Sequence, residues 1–491
     1  MPTQLQPPYT ISARPRVAKR RPAPGRGRRA ALEGLALLAS TALVALLPAS
    51  VQSTGPWSRP VILASCSAPG SPGVVFPKDS PRHATGPGAI VWGAAPGCAG
   101  GGGARVAAIT SGTDLPTAPG APTTATGQAL ALSAPIATTG AGHGRILIAG
   151  GAGARARARR LLLSEGLAGG RFSPAHGTGG AASPLALTTA YLGDLALVSP
   201  GGGSLDGSAG PLQLRVHRRF QSAFLAPVPV SPAASSSIEG LTLALDYRSD
   251  AFVAWEQGGS IYARYMSAGN PSGASVQRVA AAAPHAHIAS LLSDDNRAIL
   301  AWNETSAGVT SVYAEISAVG VRFGSPRLLE RSADPRGSGA PSGSPSLVRL
   351  ASESVMLAWS GVASGHWVVR CAPLDVHGVR SITTISNPDA DALLTGLTAG
   401  PADEVLAWWT EPGNGPPAGG PAGQALYAAR GVDLHPGRTV FTAPELITGT
   451  GATGADREAA VGVDPDSGRA IAAWRTPSGA VAYSLRSVAG G

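Results

Sequence analysis

The chain has 491 residues, of which 44% are hydrophobic and only 14% charged, with 66 glycines and 43 prolines. Apolar stretches interspersed with Gly/Pro punctuation read as a turn-rich all-β protein and leave little room for long helices. The formal net charge of +9 does not describe the folded part. Arg14, Arg16, Lys19, Arg20, Arg21, Arg26, Arg28 and Arg29 supply eight of those charges before residue 30, which leaves +1 for everything after. No basic stripe follows, so the high net charge is weak evidence for nucleic-acid binding and no nucleic acid is expected as a partner.

The first 33 residues are polar, basic and proline-containing, and Gly34–Leu47 is an uncharged apolar run followed by small residues and Pro48. That order describes a secretory signal over residues 1–53, either cleaved or kept as an N-terminal anchor. The run is shorter than the roughly 20 residues of a spanning helix, so a membrane is expected as a partner only if the segment is uncleaved. Arg28-Arg29 loosely fits a twin-arginine export signal. Leu63-Ala64-Ser65-Cys66 resembles a lipobox displaced from the apolar run by an intervening Pro-Trp-Ser-Arg-Pro. The expected location is secreted or cell-surface.

Residues 54–87 read as a Pro/Gly-rich lead-in, and 88–491 as one repeat domain. The repeat shows best around five tryptophans, Trp255, Trp302, Trp359, Trp408 and Trp474, spaced by 47, 57, 49 and 66 residues. Each closes a polar turn followed by a continuous apolar strand, as in Asp294–Trp302 and Asp403–Trp408. Weaker copies surround Trp92, Ile148 and Val198, for eight units. A strand apolar at every position is one buried on both faces. A third strand follows with an aromatic residue (Tyr262, Tyr313, Trp367, Tyr427, Tyr483), then a Phe-x-x-Pro segment (Phe224, Phe323, Phe441, shortened at Phe172). Proline suits an outer edge strand because it has no N–H for a ladder. Units of this length with four short strands predict a β-propeller. The first unit is poorly formed, which leaves seven blades as well as eight open. The last unit lacks a fourth strand, and Gly73–Pro77 is expected to supply it, so that an N-terminal strand closes the ring and removes a free edge.

The turn, Ala-Trp strand, aromatic strand and Phe-x-x-Pro pattern resembles secreted bacterial β-propellers of the sialidase-like, BNR-repeat-like kind over roughly residues 70–490. The resemblance implies fold more than activity, because no Ser-x-Asp-x-Gly-x-Thr-Trp box and no Phe-Arg-Ile-Pro segment occurs. Asp464–Gly468 is only a partial echo, and the Gly-His…Trp-Asp pairs of WD40 repeats are missing.

No lysine follows Lys78, which excludes a later Walker A loop or Schiff-base lysine. No Gly-x-Ser-x-Gly, His-Glu-x-x-His or Cys-x-x-Cys motif occurs, and no cofactor or metal is expected. His285 and His287 share a strand face but have no obvious third ligand, and read as a polar strand start. Cys66 and Cys98 are the disulfide candidate, and Cys371 reads as a buried apolar residue. The residues just after the tryptophans, Glu256, Asn303, Glu304, Glu411 and Arg475, begin the turn between second and third strands. In known propellers that turn shares a face with the blade-to-blade connections, so they are the candidates for a ligand face, with the loop Thr410–Gln424 overhanging it. The expected function is an exported, monomeric, noncatalytic binding or scaffold module for a glycan or protein ligand. The alternative is a sialidase-like glycosidase in which those carboxylates act together with Arg264, Arg370, Arg430 and Arg486.

Overall fold

The computed structural model describes residues 57–486 apart from stretches within them, the longest being 110–122, 125–136, 153–159, 202–209, 336–342, 413–423 and 449–458. The leader, its apolar run and most of the Thr410–Gln424 loop fall outside the described residues. Every element among those described is a β-strand, and no helix occurs. The strands form eight antiparallel four-stranded sheets, two of which carry a short fifth strand, and one small hairpin of Lys78–Ser80 with His83–Ala84. We number the sheets as blades 1 to 8 by their second strands: Gly88–Ala94, Arg145–Ala152, Leu195–Pro200, Ala251–Gln257, Ala298–Ser306, Val355–Ala363, Glu404–Pro412 and Ala470–Arg475. The first strands touch one another in cyclic order, and Gly73–Val75 of blade 1 touches Ala459–Val463 of blade 8. The ring is therefore an eight-bladed β-propeller.

The second strands show why the repeat is apolar at every position. Ala298, Leu300 and Trp302 pack toward blade 4, whereas Ile299 and Ala301 pack toward blade 6. Successive side chains point to opposite faces of a strand, and here each face meets another blade. Trp255, Trp302, Trp359, Trp409 and Trp474 are each no more than 1% exposed. Trp255, Trp302 and Trp409 stack on the third-strand tyrosines Tyr262, Tyr313 and Tyr427, with ring centroids 5.9, 5.2 and 6.3 Å apart. In blade 7 the repeat tryptophan is thus Trp409, not the Trp408 that the Ala-Trp spelling suggested. Trp409 packs toward blade 6 as the others pack toward their preceding blade, while its neighbour Trp408 faces blade 8. Trp408 lies over Gly396, where a Cβ would come 2.2 Å from its ring, next to a register shift in the paired first strand.

An N-terminal strand closes the ring, but it is not the expected one. Val61–Ala64 forms the outer strand of blade 8, with Val61 opposite Tyr483. Gly73–Val75 instead supplies the inner strand of blade 1, with Gly73 opposite Val91. Its glycine is required by position: a Cβ there would lie 2.2 Å from Thr138 Cγ2 on the neighbouring inner strand. The stretch expected as a lead-in therefore contributes two strands to the propeller. Cys66 and Cys98 are joined by a disulfide across the same closure, from the end of the blade 8 outer strand to the second-to-third connection of blade 1. The Ala68 amide donates to Gly93 O at 2.8 Å beside it. Cys371 is buried in the third strand of blade 6.

Candidate functional site

Because four strands alternate in direction, the second-to-third turns and the blade-to-blade connections share one face, here the connection face. The first-to-second and third-to-fourth turns lie on the opposite turn face.

On the connection face the second strands run past their tryptophans before turning. Glu256, Asn303, Glu304, Glu411 and Arg475 all lie within strands rather than in loops. In blades 4, 5 and 6 the turn is a two-residue reversal with φ positive at both positions, such as Gly258-Gly259 and Ala307-Gly308, which suits the twist of paired strands. In these three blades the described residues leave no loop in which charges gather.

Each side chain is drawn instead to its own turn or blade boundary. Glu256, 3% exposed, accepts the Gly259 amide at 2.9 Å. Glu304 accepts the Ala283 amide at 2.8 Å in the connection from blade 4. Asn303 donates from Nδ2 to Gly343 O at 2.8 Å in the connection to blade 6. Glu411 accepts the Trp409 indole N–H at 2.8 Å; burial pushes its carboxyl above the usual range, partly opposed by that hydrogen bond. Arg475 donates from Nε to Ser67 Oγ at 3.2 Å, and Ser67 Oγ donates to Gly479 O at 2.8 Å, stitching the chain beside the disulfide to blade 8.

The third-strand arginines are likewise taken up by the ring. Arg264 of blade 4 donates to Pro229 O and Val230 O of blade 3, at 2.6 and 3.2 Å. Arg486 of blade 8 makes a bidentate pair with Glu445 of blade 7, at 2.8 and 2.9 Å. Arg430 pairs with Glu404 inside blade 7. Arg370 of blade 6 reaches Glu330 of blade 5 at 3.0 Å. The Glu330 carboxylate also accepts the Trp359 indole N–H and the Val362 amide, both at 2.8 Å. Sequence reasoning did not single out Glu330, which lies in an outer strand of half-exposed pattern, yet it is the most heavily used carboxylate of these contacts.

His285 and His287 do not share a strand. His285 sits in a left-handed conformation (φ 66°) and meets Glu239 at 2.5 Å, outside the strand that begins at His287. Among the described residues no group of three or more His, Cys, Asp or Glu side chains is arranged to hold a metal ion.

The turn face is where the acids collect. The first-to-second turns of blades 3 to 8 carry Asp194, Asp246 and Asp250, Asp294 and Asp295, Glu353, Asp403, and Asp464 and Asp466. Many link one turn to the next. Asp194 accepts Ser249 Oγ of blade 4 and Arg218 Nη1, both at 2.6 Å. Burial alone would raise its carboxyl, but those donors and the Arg219 amide hold it below the usual range. Arg349 of blade 6 pairs with Asp294 of blade 5 at 2.6 Å, and the Ser352 amide of blade 6 donates to Asp403 of blade 7 at 2.5 Å. Asp246 differs. It is 1% exposed, and its Oδ1 accepts the Arg248 and Asp250 amides at 2.9 and 2.8 Å. Its Oδ2 has no hydrogen-bond partner among the described residues. Burial raises its pKa, and the neighbouring charges of Asp250 and Asp294 add to the effect. The signal for this girdle stood in the sequence of these six repeats, in the polar turn before the second strand.

At the turn-face end of the axis the inner strands enclose a cavity of about 260 Å³, lined by Phe76, Lys78, Thr139, Thr189, Thr398 and Val461 among others. Lys78 is half-buried there, in a part of the chain expected to precede the propeller. Burial pushes its ammonium pKa down, and Asp464 opposes the shift.

No family model matches the chain, and no curated protein matches it. Among solved structures the chain is similar to a polysaccharide lyase at 9% identity and a TM-score of 0.41, over 88% of this chain and 100% of that one. It is similar to a protein of unknown function from Dyadobacter fermentans at 10% identity and a TM-score of 0.35, over 76% and 97%. It is also similar to the Aleuria aurantia lectin in complex with alpha-methyl-L-fucoside, at 10% identity and a TM-score of 0.32, over 64% and 93%. At this level of likeness the reading of function rests on the residues of this chain alone.

Proposed function

We propose that the protein is an exported, noncatalytic propeller that binds a glycan or protein ligand on its connection face as a monomer. The observation that carries this reading is the use of the candidate carboxylates: Glu256, Glu304 and Glu411 each accept an internal N–H at 2.8–2.9 Å. A glycosidase needs two carboxyl groups facing one sugar ring at a defined separation, whereas Glu256 turns to a backbone amide of its own blade 4 turn, Glu304 to one in the connection from blade 4 to blade 5, and Glu411 to an indole of blade 7. The arginines that would hold an acidic sugar reach a neighbouring blade or, for Arg430, a carboxylate of its own blade instead. Export is supported by the Cys66–Cys98 disulfide, a bond that persists in oxidising compartments, together with the signal-like leader. The direct test probes the full chain on a glycan array and against a panel of fluorogenic glycosides. Saturable glycan binding without sugar release fits the proposal. Release of sugar that depends on Glu304 contradicts it and favours the glycosidase reading.

A further inference from the structure

The axial cavity on the turn face is separate from the connection face and needs nothing from it. Its walls come from five inner strands, those of blades 1, 2, 3, 7 and 8. Val74, Phe76, Val461 and Val463 make one part apolar, and Lys78 with Thr139, Thr189 and Thr398 make the other part polar. A concave, largely apolar wall with a few convergent polar groups is the ordinary form of a small-ligand site. At about 260 Å³ it lies below the roughly 300–1,000 Å³ of drug-sized pockets, which limits the occupant to about one ring.

The polar groups narrow its chemistry. Lys78 is the sole lysine outside the leader, and among the described residues no carboxylate lies within ion-pair distance of it. Asp464, the acid that acts on it from blade 8, is turned into its own loop: it accepts the Asp466 amide at 3.0 Å and Ser467 Oγ at 2.7 Å. Lys78 therefore faces the cavity as a single cation with hydrogens to give, and a single cation beside an acidic turn matches a monoanion better than a dianion. Thr189 has the opposite role. Its hydroxyl donates its one proton to Gly140 O at 2.6 Å, so toward Thr139, 3.4 Å away, and toward the cavity it can only accept. A ligand that satisfies both ends must accept strongly at Lys78 and donate at Thr189.

We propose that this cavity binds a sugar acid, a single-ring ligand with one carboxylate for Lys78 and hydroxyls for Thr189 and Thr398, its ring face lying on Phe76 and the valines. The site is an addition to the connection-face reading and stands or falls without it.

The test is isothermal titration of the full chain with D-glucuronate, with glucose as the ligand lacking the carboxylate and acetate as the ligand lacking the hydroxyls. Glucuronate is expected to bind at one site per chain, with glucose and acetate each at least about tenfold weaker. Lys78→Met is expected to weaken glucuronate by about 10- to 100-fold, the effect of removing a charge-assisted hydrogen bond, with an unchanged far-UV spectrum. Affinity in the parent protein should also fall as pH rises, starting below the ordinary lysine range, because burial favours the neutral amine. Glucuronate that does not bind, or that binds no better than glucose, overturns the proposal, as does a folded Lys78→Met variant with parental affinity. Should Lys78→Met fail to fold, Thr398→Val decides: a several-fold loss supports the site and unchanged affinity overturns it.

Discussion

The ring closes between two pieces of chain far apart in sequence, so the disulfide at that closure should carry measurable stability. Cys66 and Cys98 are 32 residues apart. Chain-entropy reasoning for a loop of that length gives a stabilisation of about 3.7 kcal/mol, through restriction of the unfolded chain. Spread over an unfolding entropy of about 2.1 cal/mol/K per residue for roughly 430 residues, this corresponds to a Tm difference of about 4 °C. The assay is thermal unfolding of the full chain and of the Cys66→Ser/Cys98→Ser variant, each with and without dithiothreitol. The parent should lose about 4 °C on reduction and then match the variant, which should not respond. Cys371 serves as an internal control: it is 1% exposed, and burial raises its thiol pKa, so it should react with a thiol reagent only after unfolding. A parent protein whose Tm ignores the reductant, together with a variant as stable as the parent, would refute the reasoning.

The buried clasp at Glu330 makes the sharpest single-residue expectation. Glu330→Ala leaves Arg370 and the Trp359 N–H without their shared acceptor and should cost about 3–5 kcal/mol by urea unfolding. Asp246→Asn should act the other way. Asp246 has its folded pKa raised, so the native state holds that proton more tightly and loses stability as pH climbs from the unfolded value through the folded one. The asparagine keeps the two amide contacts and should stabilise by on the order of 1 kcal/mol at pH 7, with the gain vanishing in melts near pH 3. In blade 7, Trp409→Ala should cost about 3–5 kcal/mol and Trp408→Ala less, which differential unfolding of the two variants measures.

The fold was legible wherever burial on both faces wrote itself into the chain. Ala298–Trp302 is apolar throughout because blades lie on either side, and that pattern marks the repeat units, though the weak first unit left seven or eight blades open until the structure showed eight sheets. The closing strand was harder to read. Val61–Ala64 pairs on one edge only and leaves Ile62 58% exposed, so it needs no distinctive pattern, whereas Gly73–Val75 mimicked an outer strand through the Phe76-Pro77 that follows. Blade 7 misled through Trp408-Trp409, since local spelling does not reveal which face a residue takes beside a register shift. The candidate site was least legible. Where a second strand ends depends on the reversal at Ala307-Gly308, and this places Asn303 and Glu304 inside the ladder. Lys78 lies in the stretch read as a lead-in ahead of the repeats, and three-dimensional closure carries it to the axis.

The central claim is that the connection-face carboxylates hold the propeller's own turns and a blade boundary, not a substrate. Its most direct test is the triple variant Glu256→Gln/Glu304→Gln/Glu411→Gln, measured for both thermal stability and the glycan-array and glycoside profile at a temperature where it remains folded. We predict a lower Tm with the parental binding profile retained. An unchanged Tm with binding or sugar release abolished would contradict the account.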